Sequence, residues 1–397
     1  MTPGTTFSRR SANPGSQAAL RKLNQQRIVH TLLQAGSLTQ AELSRQTGLS
    51  TATVSNIVKS MVERGLLTTA PTTSSGRRAL SVSLSGDDTI AAGIDIGRSH
   101  VRVVLCTIDH KVVAERWQPL PLGHEADFAL EVASGILDEL LGTCGRSRSA
   151  VIGVGLGVPG PIDSRSHTVI DGTILPQWVG ITVDEIQDRL KLPVRLENDA
   201  NLGAIAEITW GPHKGVDNLI FVKVGTGIGS GLILDGEIFG GNVGISGEIG
   251  HLPIHEHGLI CRCGNRGCLE TIASTAILIE LLSREPQNVR STADIVRLAE
   301  EGDKATLRVV DDAGQALGRA LAAIANLLNP RMVVIGGPLA GLGNRMLEPV
   351  RTGFMRYSSP VVFDTTELAV SSFTDRAEAL GAAAIVIQEF EAVGFDT

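Results

Sequence analysis

The sequence predicts an α/β protein in two parts, a small winged helix-turn-helix ahead of a large body of buried strands. Three observations predict it. Charge is segregated: residues 1–85 hold ten Lys and Arg against two acidic residues, Glu42 and Glu63, a net of +8, whereas the remainder holds 25 basic against 40 acidic residues, a net of -15. Apolar residues recur at helical spacing to about residue 62 and then give way to short apolar runs. Several of those runs end in glycine or in carboxylate and amide residues, which is where open α/β sheets hold their ligands. A chain of 397 residues that is 43% hydrophobic can bury a large core. Because aromatics are only 3% and Gly numbers 45, that core is expected to be Val, Ile, Leu and Ala around tight turns.

Residues 1–16 are polar and rich in Ser, Thr, Pro and Gly, and read as a disordered arm. Residues 17–85 read as the winged helix. Leu23, Ile28, Leu32 and Leu33 give a first helix an apolar face, and Gly36 ends it. Thr39 with Glu42 three residues on forms a capping box for a second helix to about Thr47. Gly48-Leu49-Ser50 is the turn, and Ser50 caps a third helix whose Val54, Ile57, Val58, Met61 and Val62 face inward. Thr51, Thr53, Ser55, Asn56 and Lys59 lie at its start or on its other face, as a recognition helix requires. Leu66–Thr69, a Pro/Thr/Ser/Gly turn and Ala79–Leu84 then form a two-stranded wing with Arg77 and Arg78 at its tip, suited to phosphate or a minor groove. A basic head on an acidic body points to double-stranded DNA as the head's partner.

In the body, Ile90–Ile96 is an apolar strand ending in Asp95-Ile-Gly97-Arg98-Ser99, followed by a returning strand Val101–Cys106. Such a turn can hold a nucleotide phosphate by its amides and Mg2+ by its carboxylate, although Asp-x-Gly turns are also common hairpin chemistry. Val151–Val158 leads into Pro159-Gly160-Pro161, and Val194–Leu196 into Glu197-Asn-Asp-Ala-Asn201. Leu219–Val224 leads into Gly225-Thr226-Gly227-Ile-Gly-Ser-Gly231, and Met332–Ile335 into Gly336-Gly337. Four such loops in one chain predict a phosphate and sugar site. Residues 275–330 read as helices, as does the alanine-rich stretch Thr374–Phe390, expected to pack back on the first lobe.

The remaining signal is His251 followed by Cys261-Arg-Cys263-Gly-Asn-Arg-Gly-Cys268. One imidazole and three thiolates suit a tetrahedral structural Zn2+. Half-cystines two residues apart seldom close a good bridge, which disfavours a disulfide reading. His255 and His257 lie close enough in sequence to compete as ligands. If the metal takes one nitrogen of His251, the other is left as an oriented donor beside Glu248, a pairing that suits a polyhydroxylated ligand.

Residues about 89–390 resemble the ROK family of sugar kinases and sugar-responsive repressors, through Glu197–Asn201, Gly225–Gly231, Gly247–His251, the cysteine cluster and Cys268-Leu-Glu-Thr-Ile-Ala-Ser274. With the winged helix in front, the chain resembles the family's transcriptional-regulator branch. The resemblance implies an actin-like, ribonuclease H-like sugar-kinase fold over 86–397, with lobe one as 86–198 plus the C-terminal helix 374–390 and lobe two as 199–373. It implies zinc on His251, Cys261, Cys263 and Cys268, and sugar contacts from Asn198, Asp199, Glu248, His251 and Glu270, with Asp199 at the general-base position. Nucleotide contacts, where retained, fall on Asp95, Gly97, Thr226, Gly227, Gly336 and Gly337, with ATP and Mg2+ as cofactors. The family's kinases carry Asp-x-Gly-Gly-Thr where this chain has Arg98 and Ser99, so the expectation leans against phosphoryl transfer. The expected partners are an operator duplex and a monosaccharide or small oligosaccharide, with a homodimer or homotetramer matching two-fold DNA geometry. Reduced cysteines and the lack of any apolar run near 18 residues predict a cytoplasmic protein with no membrane partner.

Overall fold

The computed structural model describes residues 20–393 apart from 21–23, 26, 30, 33–34, 64–66, 75–76, 85–88, 171–173 and 285–286. The expected arm, 1–16, lies outside these residues, as do Leu23, Leu33 and the expected wing-tip Gly76. The chain separates into two compact units: one reaches Ile90 and also takes in Thr107–Lys111 and the C-terminus from Ile387, and the other comprises Ala91–Cys106 and Val112–Val386.

In the head, the amide of Gly36 closes on the carbonyl of Leu32 with φ at 75°, ending the first helix as the glycine predicted. The helix Gln40–Thr47 opens on a complete capping box between Thr39 and Glu42 and closes on Gly48 in the left-handed region, an arrangement worth about 1 kcal/mol at the N-cap. The Ser50 hydroxyl accepts from the amide of Thr53 at 3.1 Å and starts the helix Thr51–Glu63. Ile28, Leu32, Leu43, Val54, Ile57, Val58, Met61, Leu67 and Val82 form one buried cluster. The wing differs from expectation in two ways. It has three strands, because Leu38–Thr39 pairs with Arg77–Leu84. Its outer strand, Leu67–Ser74, runs straight through Pro71-Thr-Thr, which sequence reasoning placed in a turn; a proline is tolerated there because the strand is an edge.

The body contains two five-stranded sheets with the same strand order. In the first, Val112–Pro119, His100–Thr107, Ile90–Gly97, Val151–Val158 and Val194–Asn198 lie side by side. In the second, the order is Glu237–Ile238, Ile228–Leu234, Leu219–Val224, Met332–Gly336 and Glu367–Val370. Numbered by chain position within each sheet, both read third, second, first, fourth, fifth. The second sheet pairs antiparallel across its first three strands and parallel across the last two. Four of the five apolar runs predicted to end in ligand loops are the central and parallel strands of these sheets, and Val194–Asn198 is the first sheet's outer strand. The polar edge strand Val112–Pro119 had no apolar run to announce it.

The helix Ala377–Val393 lies on the first sheet so closely that a Cβ on Gly155 would sit 1.9 Å from the carbonyl oxygen of Ala382. That contact explains why glycine lines the strand and alanine the helix. The helices expected over 275–330 are Thr275–Leu282, Thr292–Glu300 and the long Lys304–Leu328, which cover the second sheet through Leu317, Leu321 and Ala325. Among the described residues no helix is long and apolar enough to cross a membrane.

Candidate metal centre and ligand site

The strand Ile228–Leu234 organises the site. Beyond the two-residue strand Glu237–Ile238, its edge is taken by the segment Gly247–His251, with the amide of Ser230 donating to the carbonyl of Gly247 at 3.0 Å and its hydroxyl at 2.8 Å. A Cβ on Gly247 would sit 1.9 Å from the Ser230 carbonyl oxygen, and its φ is 80°, so only glycine fits. This anchors a short turn, Ile249–His251, that fixes Glu248 and His251 in relation to each other.

Ligand atoms of His251, Cys261, Cys263 and Cys268 all lie within 4.8 Å of one another. Nδ1 of His251 is 3.6 Å from Sγ of Cys261, and Sγ of Cys263 is 3.8 Å from Sγ of Cys268. Tetrahedral zinc, with Zn–S near 2.3 Å and Zn–N near 2.0 Å, separates sulfurs by about 3.8 Å and nitrogen from sulfur by about 3.5 Å. The donor set therefore fits zinc in type and spacing. Burial pushes the Cys268 thiol up to about 12, while the Asn265 backbone N–H holds Cys263 below its usual value. Three thiolates this close are favourable only around a cation. His255 and His257 are exposed and outside the cluster, which leaves His251 as the nitrogen ligand. The other nitrogen of His251, Nε2, is 3.9 Å from Oε2 of the exposed Glu248.

Glu270 is buried beside this centre. Its Oε2 accepts from the amide of Ile228 at 3.2 Å and from the guanidinium of Arg262, and Oε1 is 3.9 Å from Sγ of Cys261. Arg262, the residue between two of the cysteines, is a contact that sequence reasoning missed. Gly227 lies against both groups: a Cβ there would meet Arg262 at 2.5 Å and Glu270 at 2.7 Å. Thr226 is half-buried in the same turn.

A second group forms at the helix Asp199–Thr209. Asn198 is its N-cap, accepting from the amides of Ala200 and Asn201, while its amide nitrogen donates to the carbonyl of Gly160 at 2.9 Å. Asp199 stands in the first turn, where the helix dipole favours a carboxylate. Its Oδ1 accepts from the amide of Ala200 and its Oδ2 from Nζ of Lys223 at 2.8 Å. Nζ of Lys223 is also 3.1 Å from Oε1 of Glu378, an ion-pair contact out of line for a hydrogen bond. Asp95 is paired with Nε2 of His100 at 2.9 Å. Burial opposes ionisation of Asp95, but Lys223 and His100 outweigh it and hold the carboxyl below its usual value. Glu378 goes the other way, because burial exceeds the help it receives from Lys223.

The two groups are linked through one strand. Gly229 and Gly231 abut Ala200 on the helix side, and Ile228 and Ser230 hold Glu270 and Gly247. Lys223 is cross-strand from Gly229, so its side chain rises on the helix face. Of the expected nucleotide residues, Gly97 is covered by the His100 imidazole, while Arg98, the departure from the kinase loop, is exposed on the turn. Gly336 faces the ring of Phe221 at 2.2 Å from an ideal Cβ, and Gly337 has a φ of 82°. Both glycines thus have packing reasons independent of any nucleotide. In the head, Thr51, Ser55, Asn56 and Lys59 are exposed, whereas Thr53 is half-buried, its hydroxyl 2.8 Å from that of Ser50. Arg77 and Arg78 open the wing's central strand, Arg77–Leu84, and so lie in a strand rather than at a turn tip.

Sequence reasoning missed Lys223, His100, Glu378 and Arg262. The available signals were a lysine inside the apolar run Leu219–Val224 and a glutamate at the start of an alanine-rich helix.

The ROK family model matches residues 91–389, and a MarR family model matches residues 22–78. The xylose repressor of Bacillus subtilis (strain 168) is 30% identical over 377 residues, covering 94% of this chain and 97% of that protein. Among solved structures, a ROK family transcriptional regulator, a homologue of the E. coli MLC protein, aligns with a TM-score of 0.78 at 25% identity over 94% of this chain and 97% of its own. A ROK family glucokinase from Streptomyces griseus in complex with glucose and AMPPNP aligns with a TM-score of 0.68 at 25% identity, over 75% of this chain and 99% of its own. The head is a MarR-like winged helix and the body has the actin-like sugar-kinase fold.

Proposed function

The chain belongs to the ROK family and carries a MarR-type winged helix ahead of the family domain, and from that premise we propose that it is a sugar-responsive, DNA-binding transcriptional regulator of carbohydrate genes. The observation that carries this reading is the union, in one chain, of a capped helix-turn-helix with an exposed polar face and a body of the ROK family's sugar-kinase fold. We assign residues 17–85 to the head and 86–397 to the body, the body's first lobe being 86–198 with 374–390 and its second 199–373.

In this reading the effector is a monosaccharide or small oligosaccharide whose hydroxyls meet Asn198, Asp199, Glu248, His251 and Glu270. Carboxylates accept from sugar hydroxyls and the imidazole donates or accepts, so the set covers both halves of a hydroxyl's needs. His251, Cys261, Cys263 and Cys268 would hold Zn2+, which when bound neutralises the thiolates and fixes the ring. The Nε2 face of His251 is then aimed at the ligand beside Glu248. DNA is met by Thr51, Thr53, Ser55, Asn56 and Lys59 from the recognition helix and by Arg77 and Arg78 from the wing. A homodimer or homotetramer presents two heads to a two-fold operator, and sugar occupancy changes their spacing. A coupling of about 1–3 kcal/mol shifts operator affinity roughly 5- to 150-fold.

The test is a thermal-shift screen of sugars, with xylose first because the Bacillus relative is named a xylose repressor. Operator-DNA affinity is then measured with and without the hit. A hit that leaves DNA affinity unchanged refutes the regulator reading. The alternative is an ATP-dependent sugar kinase with an appended DNA-binding head. It is favoured by the likeness to a glucokinase holding glucose and AMPPNP and by the presence of Asp95, Thr226 and Asp199. It predicts sugar-dependent ADP release that Asp199→Asn abolishes.

A further inference from the structure

Three carboxylates from three separate elements act on one ammonium: Asp95 at the end of the first sheet's central strand through its charge, and Asp199 in a helix first turn and Glu378 at the start of the C-terminal helix by direct contact. Their side chains are 2%, 11% and 2% exposed, and that of Lys223 is 16% exposed. Oδ1 of Asp95 is buried without a hydrogen-bond partner, so the cage retains unused acceptor capacity. Hard oxygen ligands grouped in this way are the usual setting for Mg2+ beside a phosphate, with a free carboxylate to take the proton of an attacking hydroxyl. Here the positive charge already belongs to the chain. Nζ of Lys223 is 2.8 Å from Asp199 and 3.1 Å from Glu378. A hydrated dication brought into the same cage would displace those contacts and face the ammonium at close range.

We infer that Lys223 is a built-in cation that fills the carboxylate cage of Asp95, Asp199 and Glu378 in place of Mg2+, so that Asp199 meets a sugar hydroxyl as a hydrogen-bond acceptor and not as a proton-abstracting base. The residues present therefore do not fit Mg2+–ATP, and the site is a receptor. This inference rests on the effector reading for the role of Asp199, but its central assignment concerns the cage alone. It places the departure from kinase chemistry at Lys223 rather than at the exposed Arg98 that the loop sequence draws attention to.

The test uses the zinc-loaded full chain titrated with Mn2+ and read by electron paramagnetic resonance. Wild type and Asp95→Asn are expected to bind Mn2+ alike, because the cage takes none. Lys223→Ser is expected to gain one Mn2+ site at least about ten-fold tighter than any in wild type, and a Lys223→Ser, Asp95→Asn double variant to lose it. A wild-type Mn2+ site that Asp95→Asn removes overturns the assignment, as does a folded Lys223→Ser protein with no new site. Should Lys223→Ser not fold, Lys223→Ser with Glu378→Gln removes one carboxylate together with the ammonium and carries the same comparison. The wild-type arm stands without either variant. Sugar binding is read separately by thermal shift on wild type. If no sugar shifts the protein while the Mn2+ pattern holds, the effector reading fails and the cage assignment stands; the reverse pattern sinks the assignment alone.

Discussion

The described residues hold one cluster of metal-ligating side chains and one group of buried carboxylates around an ammonium, and the two are built on opposite principles. The cluster of His251, Cys261, Cys263 and Cys268 gathers soft donors at the spacing a tetrahedral metal sets, and contains no cation of its own. The cluster of Asp95, Asp199 and Glu378 gathers hard donors and supplies its own ammonium from Lys223. Donor atoms alone do not make a metal site; what decides is whether the chain has already neutralised them. The first cluster has no positive side chain among its donors, and the second already holds one.

The largest effect expected from that contrast is at the soft cluster. Cys263→Ser, or prolonged chelation, is predicted to remove stoichiometric zinc, loosen the loop from His251 to Cys268, and abolish sugar binding while leaving the head folded. Metal analysis beside calorimetry checks this, and sugar affinity kept intact in a zinc-free protein would break it.

Next comes Asp199→Asn, which keeps the shape but removes the charge paired to Lys223. Losing one charged hydrogen bond to a ligand costs about 1.5–3 kcal/mol, so sugar affinity is predicted to fall roughly 10- to 150-fold with zinc content unchanged. A matching loss of zinc would show that the two clusters are not separate.

A smaller and distinct effect is expected in the head, where cations serve a ligand outside the chain. Arg77→Ala with Arg78→Ala is predicted to weaken binding to every duplex by a similar factor and to reduce the slope of log affinity against log salt by about 2. Unchanged salt dependence would rule out phosphate contacts by the wing.

The smallest effect is a pH dependence that belongs to the hard cluster. Glu378 has a folded-state pKa raised above its usual value, so the native state holds its proton more tightly than the unfolded chain does. The wild type therefore loses stability as pH rises from the unfolded value, about 4.3, through the folded one. Glu378→Gln mimics the protonated form, and its melting temperature relative to wild type is predicted to climb from pH 4 to pH 8. A flat difference would mean that Glu378 is an ordinary carboxylate.

The soft cluster was legible in the sequence because cysteine and histidine at short spacing carry few other meanings, and the loop brings them together locally. The capping box at Thr39 and the Ser50 cap were legible for the same reason, as each involves residues three apart. The hard cluster was not. Asp95, Asp199, Lys223 and Glu378 lie far apart in the chain, and only the sheets and helices that carry them bring them together. A lysine near the end of an apolar strand reads as a strand nearing its exit to solvent, and a glutamate opening a helix reads as a favourable charge at the N-terminus. The three-stranded wing was missed because Leu38–Thr39 is too short to show periodicity, and Pro71 was taken for a turn when it sits in an edge strand.

The strand Ile228–Leu234 works as a shared beam, carrying the metal loop and Glu270 through two of its residues and the Asp199 helix through the two that alternate with them. Because successive residues of a strand face opposite ways, a single inserted residue would exchange those loads, thrusting side chains where Gly229 and Gly231 leave clearance and withdrawing the supports of Glu270 and Gly247. The seven residues are therefore expected to tolerate changes of kind far better than any change of length.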